Sequence, residues 1–164
     1  MNGAVVTAHP LASKVGLEIL KKGGNAIDAA IATQLALAVV YPGAGNIGRG
    51  GFMVARLTDG TNITLDFREK APSLAHRDMY LDDKGNAQVN LSQNGHLASG
   101  VPGTIAGLFA SHKYARLPFK ELIQPAIDLA EYGFVITAAE ARSLTATQGE
   151  FKKLNTFTPV FVKV

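Results

Sequence analysis

Ala26 to Val40 is the part of this chain that most restricts how it can fold. Its fifteen residues include only three polar side chains, Asp28, Thr33 and Gln34. Alanine and branched aliphatic residues fill the rest, so a helix here is apolar on nearly every side and must be enclosed by other elements. A membrane span needs about 20 apolar residues, so this helix belongs inside a protein core. Asn25 caps its start, and Asp28 three residues on makes a variant capping box. Tyr41-Pro42 ends it.

The 164-residue chain is long enough to build that enclosure as a single domain, 1–164. Hydrophobic residues make up 47% and charged residues 18%, which excludes a disordered chain. The net charge of +3 is spread out, and Lys21-Lys22 and Lys152-Lys153 are the only adjacent basic pairs. No nucleic-acid partner is expected from such a pattern. Without cysteine there is no disulfide, thiolate nucleophile or zinc-thiolate site. The start, Met1-Asn2-Gly3-Ala4-Val5-Val6, has no basic region followed by an apolar run, so a signal peptide is absent or has been replaced by a start methionine.

Around the core helix, Val5-Val6-Thr7-Ala8 reads as a short strand stopped by His9-Pro10. A helix follows from about Leu11, with Leu11, Val15 and Ile19 on one stripe and Gly23-Gly24 beyond Lys21-Lys22. Phe52–Ala55 and Ile63–Phe67 read as two strands joined through Asp59-Gly60. Residues 82–97 read as a loop or weak hairpin. Pro102-Gly103-Thr104 opens a helix through Ile105, Leu108 and Phe109 to about Ala115. Pro118 starts another, whose stripe is Phe119, Leu122, Ile123, Ala126, Ile127 and Ala130, closed by Gly133. Thr137 and Glu140 are spaced to cap one more. The apolar end, Phe157 to Val164, is strand-like and calls for a partner strand or more chain.

Few motifs carry chemistry. Gly43-Ala44-Gly45-Asn46-Ile47-Gly48 matches the dinucleotide fingerprint letter for letter. That fingerprint works between a strand and a helix, because the helix N-terminus holds the pyrophosphate. Here it stands between a helix and a strand, so the glycines are expected to serve positive φ and close backbone approach. The histidines, His9, His76, His96 and His112, have no metal-site spacing and read as capping or surface residues. Asp78, Asp82 and Asp83 beside Gly85 suit a hairpin turn better than a calcium loop. No metal or cofactor is expected.

Leu65-Asp66-Phe67-Arg68-Glu69-Lys70-Ala71-Pro72 sets one arginine between two acids at a strand end. A guanidinium is a rigid fork suited to a carboxylate, and flanking acids can hold it in one pose. On these eight residues alone, local salt bridges are the more ordinary outcome.

Five blocks in order resemble the N-terminal part of the γ-glutamyltransferases, or glutathione hydrolases, of the N-terminal-nucleophile hydrolase superfamily. They are Leu17–Ala30, Asn46–Met53, Asp66–Pro72, Arg77–Asp83 and Gly100–Gly107, within about residues 4–135. The resemblance implies an α+β, four-layer αββα fold, of which only the N-terminal portion is present. It implies that Arg68 binds the α-carboxylate of a γ-glutamyl substrate such as glutathione. It implies further that the acyl group passes to water or an acceptor amino acid, through a threonine freed by self-cleavage at the start of a small subunit. No Thr-Thr-His cleavage signature occurs here, so no catalytic residue is assigned. The chain is expected to need the remainder of the large subunit and the small subunit, and to be inactive, poorly soluble or oligomeric alone. A cephalosporin (glutaryl) acylase, a poly-γ-glutamate-processing relative or a truncated non-catalytic product are the competing outcomes. Members of the family are mostly periplasmic or secreted.

In one place the chain departs from the family, which usually has unbroken glycine where this chain reads Gly48-Arg49-Gly50-Gly51. If position 49 needs positive φ, arginine there costs on the order of 1 kcal/mol.

Overall fold

The computed structural model describes residues 3–45, 47–154 and 162. The expected final strand, the chain start and Asn46 of the glycine stretch lie outside the described residues. The chain divides into two compact units, one of Met1–Met79 with Gly100–Phe134, the other of Tyr80–Ser99 with Val135–Val164.

In the first unit, helix α1 spans Pro10–Lys21 and α2 spans Ala26–Val40. His9 caps α1, its Nδ1 accepting from the Leu11 N–H at 3.2 Å. Gly23, at φ 95°, turns the chain out of α1 in a conformation that side chains disfavour. The capping box of α2 forms as the sequence predicts, with Asn25 Oδ1 accepting from the N–H groups of Ile27 and Asp28. The Asn25 N–H in turn donates to Asp28 Oδ2 at 2.7 Å.

Enclosure of α2 is also as predicted: nine of its fifteen residues are buried. Its core partners are Ile19 of α1, Leu108 of α4 (Thr104–His112), Leu122 and Ala126 of α5 (Phe119–Tyr132), and Met53 and Ala55 from the sheet. A second cluster joins Ala12 of α1 to Ala36 and Val40. Asp28 is fully buried within this apolar setting. Its carboxylate accepts from the backbone N–H groups of Arg116 at 3.0 Å and Leu117 at 2.9 Å, which pins the loop before α5 to the start of α2. Asn25 adds a bond from its side-chain amide to the Tyr114 carbonyl at 2.8 Å. Burial of a carboxylate is tolerable here because backbone donors replace the lost water.

Strands β1 (Phe52–Arg56) and β2 (Asn62–Asp66) form an antiparallel pair, with Phe52 opposite Asp66 and Val54 opposite Thr64. Gly60, at φ 88°, makes the turn. Met53, Ala55, Ile63 and Leu65 lie on the half-buried face, and Met53 and Ala55 reach the core around α2. Phe52 and Val54 stand on the open face, with Val54 80% exposed.

Three expectations need correction. Val5–Ala8 forms no strand: among the described residues the sheet has two strands, and Val5 packs against Gly16 of α1 instead. Helix α4 ends at His112 rather than near Ala115, and it buries Thr104, Gly107, Leu108 and Ser111 while Ile105 and Phe109 face outward. On its packed side Leu108 joins the core around α2, while Gly107 is the position where the Phe67 ring comes too close for a side chain. Gly45, Gly50 and Gly51 supply close approach but not positive φ, and Gly43, with open space around it, supplies neither.

The second unit carries two short helical turns that the sequence reading missed, α3 at Val89–Gln93 and a 3₁₀ turn at His96–Ala98. It also carries α6 at Ala138–Leu154. Thr137 and Glu140 form the expected box at the start of α6, with the Thr137 N–H donating to Glu140 at 2.6 Å and the Glu140 N–H to Thr137 Oγ1 at 3.2 Å. A bridge between Leu81 and Ala87 closes the hairpin turn around Asp82, which accepts from the N–H groups of Lys84 and Asn86.

Candidate functional site

Arg68 lies two residues beyond the end of β2, in the first unit. Its backbone is held from three sides. The Arg68 N–H donates to Asp66 Oδ1 at 3.0 Å, and the neighbouring Phe67 N–H donates to the Gly51 carbonyl at 3.0 Å. Two residues on, Lys70 and Val101 exchange both backbone bonds, at 3.1 and 2.8 Å.

Glycines let the surrounding chain close on this segment. A Cβ on Gly50 would stand 2.6 Å from the Arg68 Cα, and one on Gly103 would strike the Phe67 carbonyl. One on Gly107 would enter the Phe67 ring, and one on Gly100 would come to 3.0 Å from the Glu69 Cβ. The glycine-rich blocks around 48–51 and 100–107 thus share one physical task. They bring the loop before β1 and the first turn of α4 into backbone contact with Phe67-Arg68. The Arg49 carbonyl completes the junction by accepting from the Gly103 N–H at 3.0 Å, the Thr104 N–H at 2.8 Å and Thr104 Oγ1 at 2.7 Å. These bonds satisfy donors that a helix start leaves unpaired.

The guanidinium itself goes elsewhere than the sequence suggests. Asp66 is engaged with the Arg68 backbone, and among the described residues no carboxylate lies within ion-pair distance of the Arg68 side chain. The Arg68 guanidinium carbon instead stands 5.6 Å from the centroid of the Phe52 ring, on the open face of the sheet. An aromatic face attracts such a cation weakly while leaving its in-plane N–H groups directed outward. Arg68 is therefore an exposed arginine on an aromatic platform. Phe52 was missed as a site residue, although its pairing with Asp66 puts it beside the chain that leads to Arg68.

Arg49 carries no backbone strain, because no non-glycine residue among those described has positive φ. Its side chain is exposed. The anticipated cost of an arginine in the glycine run therefore does not arise.

Other candidates take structural roles. His9 caps α1, and His112 Nε2 lies 2.9 Å from the Leu117 carbonyl. Among the described residues no three acidic or histidine side chains are grouped to hold a metal ion. A cleft of about 620 Å³ lies between the start of α2, strand β1 and Arg116, and Arg68 is not part of its wall. No described helix is long and apolar enough to cross a membrane.

The blocks that build this junction match a known pattern: the family model for gamma-glutamyltranspeptidase covers residues 12–164. The chain belongs to the gamma-glutamyltranspeptidase family. It is 54% identical over 153 residues to a glutathione hydrolase proenzyme of Pseudomonas sp. strain A14, covering 93% of this chain and 27% of that protein. Against the glutathione hydrolase proenzyme of Escherichia coli K12 the identity is 50% over 143 residues, covering 87% of this chain and 25% of that protein. The crystal structure of Helicobacter pylori gamma-glutamyltranspeptidase superposes with a TM-score of 0.91 at 47% identity, covering 98% of this chain and 48% of that one. The chain spans about a quarter of the length of the curated relatives it matches. Its fold is thus the N-terminal portion of the α+β, four-layer αββα arrangement of the N-terminal-nucleophile hydrolases. The described residues contribute a two-stranded sheet with helices packed on one face to that arrangement.

Proposed function

We propose that this chain is the N-terminal part, 1–164, of the large subunit of a γ-glutamyl-transferring enzyme, and that Arg68 receives the α-carboxylate of the γ-glutamyl group. The observation that carries the reading is the state of Arg68: its backbone is fixed on three sides while its guanidinium is exposed over Phe52. A planar fork presented in this way pairs with a carboxylate through two parallel bonds. Substrates with a free amino-acid carboxylate, glutathione among them, are favoured. The nucleophile comes from outside this chain, as a threonine at the start of a small subunit released by self-cleavage. The threonine hydroxyl attacks the γ-amide carbonyl, its own α-amine taking the proton. The resulting γ-glutamyl ester then passes to water or to an acceptor amino acid. Arg68 contributes by holding the substrate so that the γ-carbonyl is presented to that hydroxyl, an effect of position rather than of proton transfer.

Turnover of a γ-glutamyl anilide by the complete protein tests the assignment. Loss of a charge-assisted pair costs about 1.5–3 kcal/mol. Arg68→Ala should therefore lower kcat/KM by roughly ten- to a hundredfold, with Arg68→Lys recovering only part. Undiminished turnover in Arg68→Ala would overturn the reading. Activity in the 164-residue chain by itself would show that the nucleophile is not supplied from outside.

A further inference from the structure

We propose that Arg49 is a second cation of the Arg68 site, selecting γ-glutamyl substrates whose departing part bears its own carboxylate. The inference rests on the reading of Arg68 given above and adds a substrate class to it, γ-glutamyl peptides over neutral γ-glutamyl amides.

Arg49 is held in place by its own carbonyl, which accepts three bonds at the first turn of α4. Its position relative to Arg68 follows from its neighbour. A Cβ on Gly50 would lie 2.6 Å from the Arg68 Cα, so ordinary bond lengths and the spacing of consecutive Cα atoms place the Arg49 and Arg68 Cα atoms within about 8 Å. Two arginine side chains rooted that close can engage one ligand between them, and both are exposed. Among the described residues neither guanidinium has a carboxylate within ion-pair distance.

The two segments that meet here carry a net positive charge. In the two segments, 48–52 and 66–70, Arg49, Arg68 and Lys70 outnumber Asp66 and Glu69, and Asp66 is engaged with the Arg68 N–H. Helix α4 brings no acid, since Thr104–His112 contains none. A substrate with one carboxylate is satisfied by Arg68, and a second guanidinium adds attraction only where the ligand carries a second anionic group. The distance involved is about one Debye length at physiological salt, so the preference is modest and sensitive to ionic strength.

Steady-state kinetics of the complete, self-processed protein test this with two substrates, a γ-glutamyl anilide and a γ-glutamyl peptide with a free C-terminal carboxylate. The quantity to follow is the ratio of their kcat/KM values. In Arg49→Gln the ratio of peptide to anilide should fall three- to tenfold through KM of the peptide, and Arg49→Lys should keep most of it. Raising salt from about 50 to about 500 mM should reduce the wild-type ratio toward that of Arg49→Gln. An unchanged ratio in Arg49→Gln, including equal losses for both substrates, overturns the proposal. So does a wild-type ratio indifferent to salt. Arg68→Ala separates the two levels: if it spares both substrates, the Arg68 reading has failed, whereas an impaired Arg68→Ala with an unmoved Arg49→Gln ratio refutes the role of Arg49 alone.

Discussion

Gly107 on α4 faces the Phe67 ring so closely that a Cβ there would lie among the ring carbons. Helix α4 and the chain bearing Arg68 are therefore matched at the level of single atoms. Gly107→Ala should force the ring or the helix to move, at a cost of about 1–3 kcal/mol. Phe67→Leu, introduced alone, leaves space, and the double variant should be more stable than the two separate losses would add up to. Urea melts of the four proteins in a double-mutant cycle check this; strict additivity would show that the two residues do not meet.

Asp28 joins two segments that are far apart in sequence. Asp28→Asn keeps the size of the side chain but turns an NH₂ group toward backbone donors that need an acceptor. Weakening the reciprocal bond of the capping box and stranding buried N–H groups should destabilise the first unit by about 2–4 kcal/mol. Thermal unfolding measures the loss, and a change of less than about 0.5 kcal/mol, typical of a plain surface substitution, would refute it.

Val54 and Phe52 leave an apolar strip on the open face of a two-stranded sheet whose outer edges carry no partner strand among the described residues. Such a surface promotes association. The isolated chain should sediment as oligomers, and Val54→Thr, which preserves strand preference, should raise the monomer fraction. Sedimentation velocity at several concentrations distinguishes this from a chain that is monomeric without the substitution.

Asp82 gives the second unit a response to acid. The Asn86 N–H donates to its carboxylate, and this bond, with that from the Asn86 side chain, holds the carboxyl below its ordinary value of 3.8. A depressed value means that the folded turn favours the ionised form. Its contribution is therefore fully present above 3.8 and is lost as pH falls through the lower folded value. The Asn86 amide resonance should stay fixed through neutral and mildly acid pH and move only below 3.8. Asp82→Asn should abolish that movement.

Helix ends were the most legible part of the sequence. Asn25 with Asp28, Thr137 with Glu140, and glycine after Lys21-Lys22 each specify a boundary through bonds made within a few residues. The enclosure of α2 was legible for a different reason, since an apolar helix has few alternatives to burial. What escaped depended on distant partners. Val5–Ala8 has the composition of a strand, yet its fate is decided by Gly16 on α1. In α4 the large residues Ile105, Leu108 and Phe109 do not reveal the packed side, since Leu108 is buried, Ile105 and Phe109 are exposed, and Gly107 is what admits Phe67. The arginine at position 68 was visible, and so were its acidic neighbours. That Asp66 would bind the backbone while Phe52 received the guanidinium required the hairpin register, which no local pattern contains.

The bond between Asp28 and Leu117 also has a consequence in time. Its partners are 89 residues apart, and a ribosome adding about 5–20 residues each second makes the second roughly 4–18 s after the first. Through that interval α1, the Asn25 N–H and then Met53 and Ala55 of the hairpin can reach α2, but its bonds to Arg116 and Leu117 and the side that Leu108, Leu122 and Ala126 cover have nothing to meet. The nascent chain thus holds its most apolar helix half-covered until α4 and α5 have been translated, and that is when a chaperone or a neighbouring nascent chain would find it.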